Sequence, residues 1–179
     1  MLGRGNSAKC FSVRTYAGYQ FAVKIYGAKT DTRLFKHETR VYEHLAKLQG
    51  ACVPVILDTP RAVFDGTMSH MIFMSYGGVT AAKHHLVTPD VVDRLLKGLT
   101  DIHALGVYLE DLSLRNILID KIGRVVIVDH ESSGITSSDA HLVLGEQEFV
   151  IEACERVKRM GDMKFFKTEH PDEDEEAWE

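Results

Sequence analysis

Tyr108-Leu109-Glu110-Asp111-Leu112-Ser113-Leu114-Arg115-Asn116-Ile117-Leu118-Ile119-Asp120 and, past a Lys121-Ile122-Gly123 turn, Val125-Val126-Ile127-Val128-Asp129-His130-Glu131 form the stretch on which the reading of this chain turns. Two short apolar, β-branched runs around a glycine turn read as a small hairpin. Polar residues stand at its ends. Asp111 lies five residues before Asn116, Asn116 immediately precedes the first strand, and Asp129 closes the second. Two oxygen-bearing ligands at the ends of a hairpin can hold Mg²⁺ while a nearby carboxylate orients a hydroxyl. The plainer alternative is three unrelated polar residues in turns; the shared spacing and strand context favour the first reading.

Upstream, Pro89-Asp90 opens a helix whose apolar positions Val91, Val92, Leu95, Leu96, Leu99, Ile102 and Leu105 recur at helical spacing, with Gly106 closing it. Further back, Phe11 to Tyr16 and Gln20 to Tyr26 are β-prone runs separated by Ala17-Gly18-Tyr19, a hairpin pattern. Thr30 or Asp31 can cap a helix carrying Leu34, Val41, Tyr42, Leu45 and Leu48, ended by Gly50. Val53 to Leu57 and Met68 to Met74 predict two more strands, joined through Pro60 and Asp65-Gly66. Downstream, Ala140 to Met160 is amphipathic and predicts a helix. The first 75 or so residues thus read as mainly sheet with one helix, and the rest as mainly helix with a small hairpin. The fold class is α+β in two unequal lobes.

Composition narrows the function classes. The 179 residues are 45% hydrophobic and 26% charged, close to globular averages. No run approaches the ~20 apolar residues of a membrane span, and the N-terminus has no apolar signal region. Cys10, Cys52 and Cys154 are odd in number with no paired spacing, which argues against a disulfide framework or zinc site and for a reducing intracellular compartment, cytoplasmic or nuclear. The net charge of −5 is concentrated at one end: residues 162–179 carry eight acids and two bases, leaving the preceding 161 residues at +1. A neutral body speaks against nucleic-acid binding, and the acidic segment reads as a solvated, disordered tail.

Two further segments carry chemistry. Leu2-Gly3-Arg4-Gly5-Asn6-Ser7-Ala8 precedes a strand, and glycines let backbone N–H groups approach phosphate oxygens closely. Phe21-Ala22-Val23-Lys24 sets a lysine in an apolar strand. Taken alone, an edge lysine facing water is the simpler account; an inward one needs a partner, which Glu38 on the following helix could supply. His84-His85 and the other histidines have no ligand spacing, and Cys10 reads as a packing residue.

Together these segments resemble the protein-kinase-like superfamily: Gly-rich loop, strand lysine, helix glutamate, catalytic-loop Asp with its Asn, and metal-binding Asp occur in order from Leu2 to Glu131. The resemblance implies an ATP- and Mg²⁺-dependent phosphotransferase with a bilobal fold, residues 1–75 forming one lobe and 76–161 a shortened second. It implies that Gly3, Gly5 and Ser7, with Ala8 in place of a third glycine, cover the nucleotide phosphates. Lys24 would contact the α/β-phosphates, held by Glu38. Ser75 and Tyr76 would sit at the hinge against adenine. Asp111 would be the catalytic base, Arg115 would reach the transferring phosphate or remain a solvated loop charge, and Asn116 and Asp129 would bind Mg²⁺.

The departures from the pattern shape the expectation. Leu109-Glu110 replaces His-Arg, and a glutamate there would repel an activating phosphate. His130-Glu131 replaces Phe-Gly. Fifty residues follow Asp129, eighteen of them in the tail, with no A-P-E motif. The chain is therefore expected to be a compact atypical kinase, similar to the Rio-type or aminoglycoside-phosphotransferase branch or to small kinase-like proteins of fungi, acting on an unidentified hydroxyl-bearing acceptor. The alternative is a nucleotide-binding pseudokinase or scaffold working through a protein partner, which the acidic tail could help to bind.

Overall fold

From Ala22 to Tyr26 every residue of the third strand is buried, including the lysine in its middle. A strand buried on both sides needs a layer against each face, and both layers are present. In the computed structural model, which describes residues 3–4, 7–27, 32–82 and 88–136 together with the single positions 148 and 152, an antiparallel sheet is built from β1 (Gly3–Arg4), β2 (Ala8–Arg14), β3 (Gln20–Tyr26), β4 (Ile56–Asp58), β5 (Arg61–Phe64) and β6 (Thr67–Ser75). β3 lies between β2 and β6, and β6 offers its other edge to β4 and β5 at successive registers. Side chains alternate across a strand. Ala22 and Tyr26 therefore join Ile72 and Met74 beneath Leu34 and Phe35 of helix α1 (Thr32–His44), while Val23, Ile25 and Met71 pack on the opposite face against Phe11, Phe64 and Phe73.

The remaining described elements are β7 (Val79–Thr80), helix α2 (Pro89–Ala104), β8 (Val107–Tyr108), β9 (Ile117–Ile119), β10 (Val125–Ile127) and β11 (Gly134–Ile135). β10, β9 and β7 make a three-stranded antiparallel sheet, and β11 pairs with β8. Val91, Leu95, Leu99 and Ile102 form the buried stripe of α2 and pack with Ile117, Ile119, Val125 and Ile127 of the hairpin. Val41 of α1 and Leu45, the residue just past its end, belong to this same core, so α1 packs both on it and on the Ala22–Tyr26 face of the first sheet. Thr88 caps α2 through its hydroxyl, which accepts from the Val91 N–H at 3.3 Å. Gly106, at φ +74°, turns the chain out of the helix. The architecture is mixed α/β with antiparallel sheets and helices α1 and α2. No helix among the described residues is long and apolar enough to cross a membrane.

Several sequence expectations need correction. α1 ends at His44, six residues before Gly50, and a 3₁₀ turn at Ala46–Leu48 fills the gap. Leu45 and Leu48 continue the apolar spacing through that turn, so periodicity could not mark the break. The strand expected over Val53 to Leu57 is Ile56–Asp58; Val53 is buried in the loop before it. The connection to β6 holds a further strand, β5, whose Arg61-Ala62-Val63-Phe64 alternation is too short to stand out. Among the described residues after 75, the short strands β7, β8 and β11 were not expected, because two-residue strands leave no periodic trace. Thr30, Asp31, Gly5, His84, His85, Cys154 and the acidic tail lie outside the described residues, as does the helix expected over 140–160 apart from positions 148 and 152, which are helical.

Candidate functional site

The period of two on β3 puts Lys24 on the same face as Ala22 and Tyr26, beneath α1. On α1, Glu38 precedes Val41 and Tyr42 by three and four residues, so a carboxylate stands in the helix's apolar stripe. Glu38 is 0% exposed and Lys24 9%. Each charge is compensated by the other: Lys24 Nζ lies 2.8 Å from Glu38 Oε2. Tyr26 donates its hydroxyl to the same oxygen, and the backbone N–H of His130 donates to Glu38 Oε1 at 3.3 Å. The inward reading of Lys24 is the observed one, and the simpler edge-lysine account falls.

A third segment closes on the pair. Asp129 has φ +68°, the left-handed region that aspartate tolerates better than most residues. That bend follows β10 directly, and Asp129 Oδ1 lies 2.5 Å from Lys24 Nζ. Glu131 Oε2 lies 3.3 Å from the same nitrogen, and Ser7 donates its hydroxyl to Glu131 at 2.6 Å. Three carboxylates thus face one ammonium. Burial opposes the charge on Lys24, but Glu38 and Asp129 outweigh it and hold the lysine above its ordinary range. Burial pushes Glu38 up to about 7 against the pull of Lys24, with Asp129 and Glu131 adding to the rise.

Neighbouring contacts lock this geometry. His37 Nε2 on α1 donates to the Ser133 carbonyl at 2.6 Å, tying the helix to the segment after Asp129. The His130 ring is fully buried, meets Tyr42 edge-on at 5.0 Å and lies 3.3 Å from Ser133 Oγ through Nδ1. Burial holds it down at about 4. Cys10 is directly across from Lys24 on β2 and half-buried; burial pushes its thiol up, as suits a packing residue.

The β9–β10 hairpin leads into this network through Asp129. Asn116 Nδ2 donates to the Asp111 carbonyl at 2.9 Å, and the Val128 N–H donates to the Asn116 carbonyl at 2.9 Å. Asn116 and Asp129 therefore flank the same end of the β9–β10 hairpin. The Asp111–Asn116 loop is pinned from the other side by Thr80, whose hydroxyl donates to the Leu114 carbonyl at 2.8 Å. Leu109 is buried in the α2 core, while Glu110, Asp111 and Arg115 are exposed.

Of the residues singled out from the sequence, Ser7, Lys24, Glu38 and Asp129 meet in one network, and Asp111 is joined to Asn116 in the loop beside it. Gly3 is in β1, paired with Cys10. Ser75 ends β6, accepting from the Val55 N–H through its hydroxyl at 2.9 Å and donating its own N–H to the Val55 carbonyl at 2.9 Å; half-buried Tyr76 follows it. Glu131 and Tyr26 were missed. Glu131 stands two residues past Asp129, and Tyr26 shares the strand face of Lys24, so spacing could have nominated both.

No family model matches the chain. Two Arabidopsis thaliana proteins are similar to it. CBL-interacting serine/threonine-protein kinase 17 is 29% identical over 149 residues, covering 75% of this chain and 33% of that protein. CBL-interacting serine/threonine-protein kinase 1 is 28% identical over 152 residues, covering 75% and 32%. The chain spans about a third of the length of these relatives. The relationship is kinase-like, distant and partial.

Proposed function

We propose that this chain is an ATP- and Mg²⁺-dependent phosphotransferase to a hydroxyl acceptor, with a bilobal kinase-like fold divided near residue 75. The observation that carries the reading is the meeting of Lys24, Glu38 and Asp129 from three separate elements, at 2.8 and 2.5 Å. Phosphoryl transfer demands mainly positioning and charge neutralisation. Lys24, kept charged by its carboxylates, would contact the α/β-phosphates. Glu38 would hold it in place from α1. Ser7 and the backbone at Gly3 and Gly5 would cover the phosphates, and Ser75 and Tyr76 would flank adenine.

Asp111, on an exposed loop braced by Asn116, would accept the acceptor hydroxyl's proton. Arg115, exposed beside it, would bring a guanidinium toward the transferring phosphate. Asn116 and Asp129 offer oxygen donors at one end of a hairpin, a set that fits a hard cation. Bound there, Mg²⁺ would neutralise phosphate charge. Leu109-Glu110 and His130-Glu131, in place of His-Arg and Phe-Gly, favour an atypical branch of the Rio or aminoglycoside-phosphotransferase kind. The exposed Glu110 beside Asp111 also supports a second reading, a nucleotide-binding scaffold without turnover.

The test is phosphate transfer from labelled ATP by the purified chain, with Asp111→Ala as the control. Transfer that disappears in the variant supports Asp111 as base. Transfer unchanged in the variant sinks that role. Thermal stabilisation by ATP with no transfer above the variant's background favours the scaffold.

A further inference from the structure

The Glu131 carboxylate occupies a position between two groups that a nucleotide would need. Ser7 donates to it at 2.6 Å, and Lys24 Nζ lies 3.3 Å away. A hydroxyl from the Gly-rich segment and an ammonium from β3 are the donors assigned above to phosphate oxygens. Here they converge on a carboxylate oxygen pair instead, a planar anion able to accept from both. Glu131 is tied down from its own segment as well, because the adjacent His130 ring is fully buried and the His130 backbone N–H is bound to Glu38. The side chain itself is about 23% exposed, so it can leave without opening the core.

The geometry points to Glu131 as an internal phosphate surrogate that competes with nucleotide for Ser7 and Lys24 and makes binding dependent on a divalent cation. This rests on the nucleotide-binding reading above and adds to it a determinant peculiar to this chain. In the free protein the carboxylate satisfies both donors. An incoming phosphate would have to displace it and would then face Asp129 and Glu131 together, two like charges near its own. A divalent cation removes that repulsion. Without one, the nucleotide meets an occupied and negatively charged subsite.

Glu131→Gln keeps the size of the side chain and removes its charge; Glu131→Ala removes the competing group outright. Binding of ATP to wild type and both variants is measured by calorimetric titration in EDTA and again in excess Mg²⁺, after circular dichroism has established that each is folded. The expected result is weak binding by wild type in EDTA, a gain of about tenfold or more in both variants under that condition, and a smaller difference in Mg²⁺. If wild type binds Mg²⁺-ATP and neither variant gains in EDTA, the surrogate role is overturned while nucleotide binding stands. If a variant binds ATP and wild type does not, the surrogate role is upheld in its strongest form. If none of the three binds under either condition, the nucleotide reading fails and this inference fails with it.

Discussion

Replacing Lys24 with Met should destabilise the protein in a way that depends on pH and is reversed by a second substitution. Among the described residues Lys24 is the only positive partner of Glu38, which is fully buried and also near Asp129 and Glu131. Removing one member of a buried pair typically costs about 3–5 kcal/mol, because the other charge stays behind uncompensated. With a urea m-value of about 2 kcal/mol/M for a chain of this size, the unfolding midpoint of Lys24→Met should fall by about 2 M at pH 8. Glu38 can escape the penalty by taking up a proton. Its folded value is already raised from 4.5 to about 7, so the folded state holds more protons than the unfolded state between those values, and stability attributable to Glu38 falls as pH rises through that window. Losing Lys24 moves the folded value higher still. The deficit of Lys24→Met should therefore shrink at pH 5, where Glu38 is neutral. Lys24→Met/Glu38→Gln, neutral at both positions and still able to accept from Tyr26, should recover most of the loss at pH 8. Equal losses in the single and double variants at pH 8, or a deficit in Lys24→Met that does not change with pH, would refute the reasoning, since Glu38 could not then be the source.

Other outcomes follow from the same contacts. His130 is held down from 6.5 to about 4 by burial, so the unfolded state binds its proton first as pH falls, and stability of about 3 kcal/mol is lost between 6.5 and 4. This opposes the Glu38 trend over the shared window; His130→Phe should leave urea stability falling from pH 4.5 to 7, and a profile as flat as that of wild type would count against it. Gly78 has φ +110°, and a Cβ there would lie 2.2 Å from the Ile119 carbonyl oxygen, so Gly78→Ala should destabilise by several kcal/mol, about 3 or more. Gly18→Ala, at φ +86° with open space around it, should cost about 1 kcal/mol; comparable losses at the two positions in thermal unfolding would show that the clash at Gly78 is relieved by backbone movement.

Local order was legible where the pattern is long and the punctuation strong. Strand β3, helix α2 with its Pro89 start and Gly106 stop, and the β9–β10 hairpin lie where turn residues and apolar spacing put them, because each is decided by near neighbours along the chain; β2 runs over Ala8–Arg14 instead of Phe11 to Tyr16, since the turn into β3 already begins at Thr15. The short pairs β7, β8 and β11 and the inserted β5 were not legible, since two to four residues carry no period and form only when a partner strand arrives. The end of α1 was misplaced for a related reason: the same leucines suit a helix or a 3₁₀ turn, and packing chose between them.

By itself the sequence showed which groups are available: a lysine in an apolar strand, a glutamate on the next helix, and an Asp–Asn–Asp series around a hairpin, in the order in which the kinase-like pattern has them. It left the orientation of Lys24 open, because a strand has two faces and nothing local says which one is covered. Only the tertiary structure decided that. It laid α1 over one face of β3, setting Glu38 2.8 Å from the lysine, and bent the chain at Asp129 so that two more carboxylates reach the same nitrogen. The tertiary structure also brought Glu131 to Ser7 across 124 positions of sequence. Charges brought together over such separations respond to distance and burial, and neither is written in the order of residues along the chain.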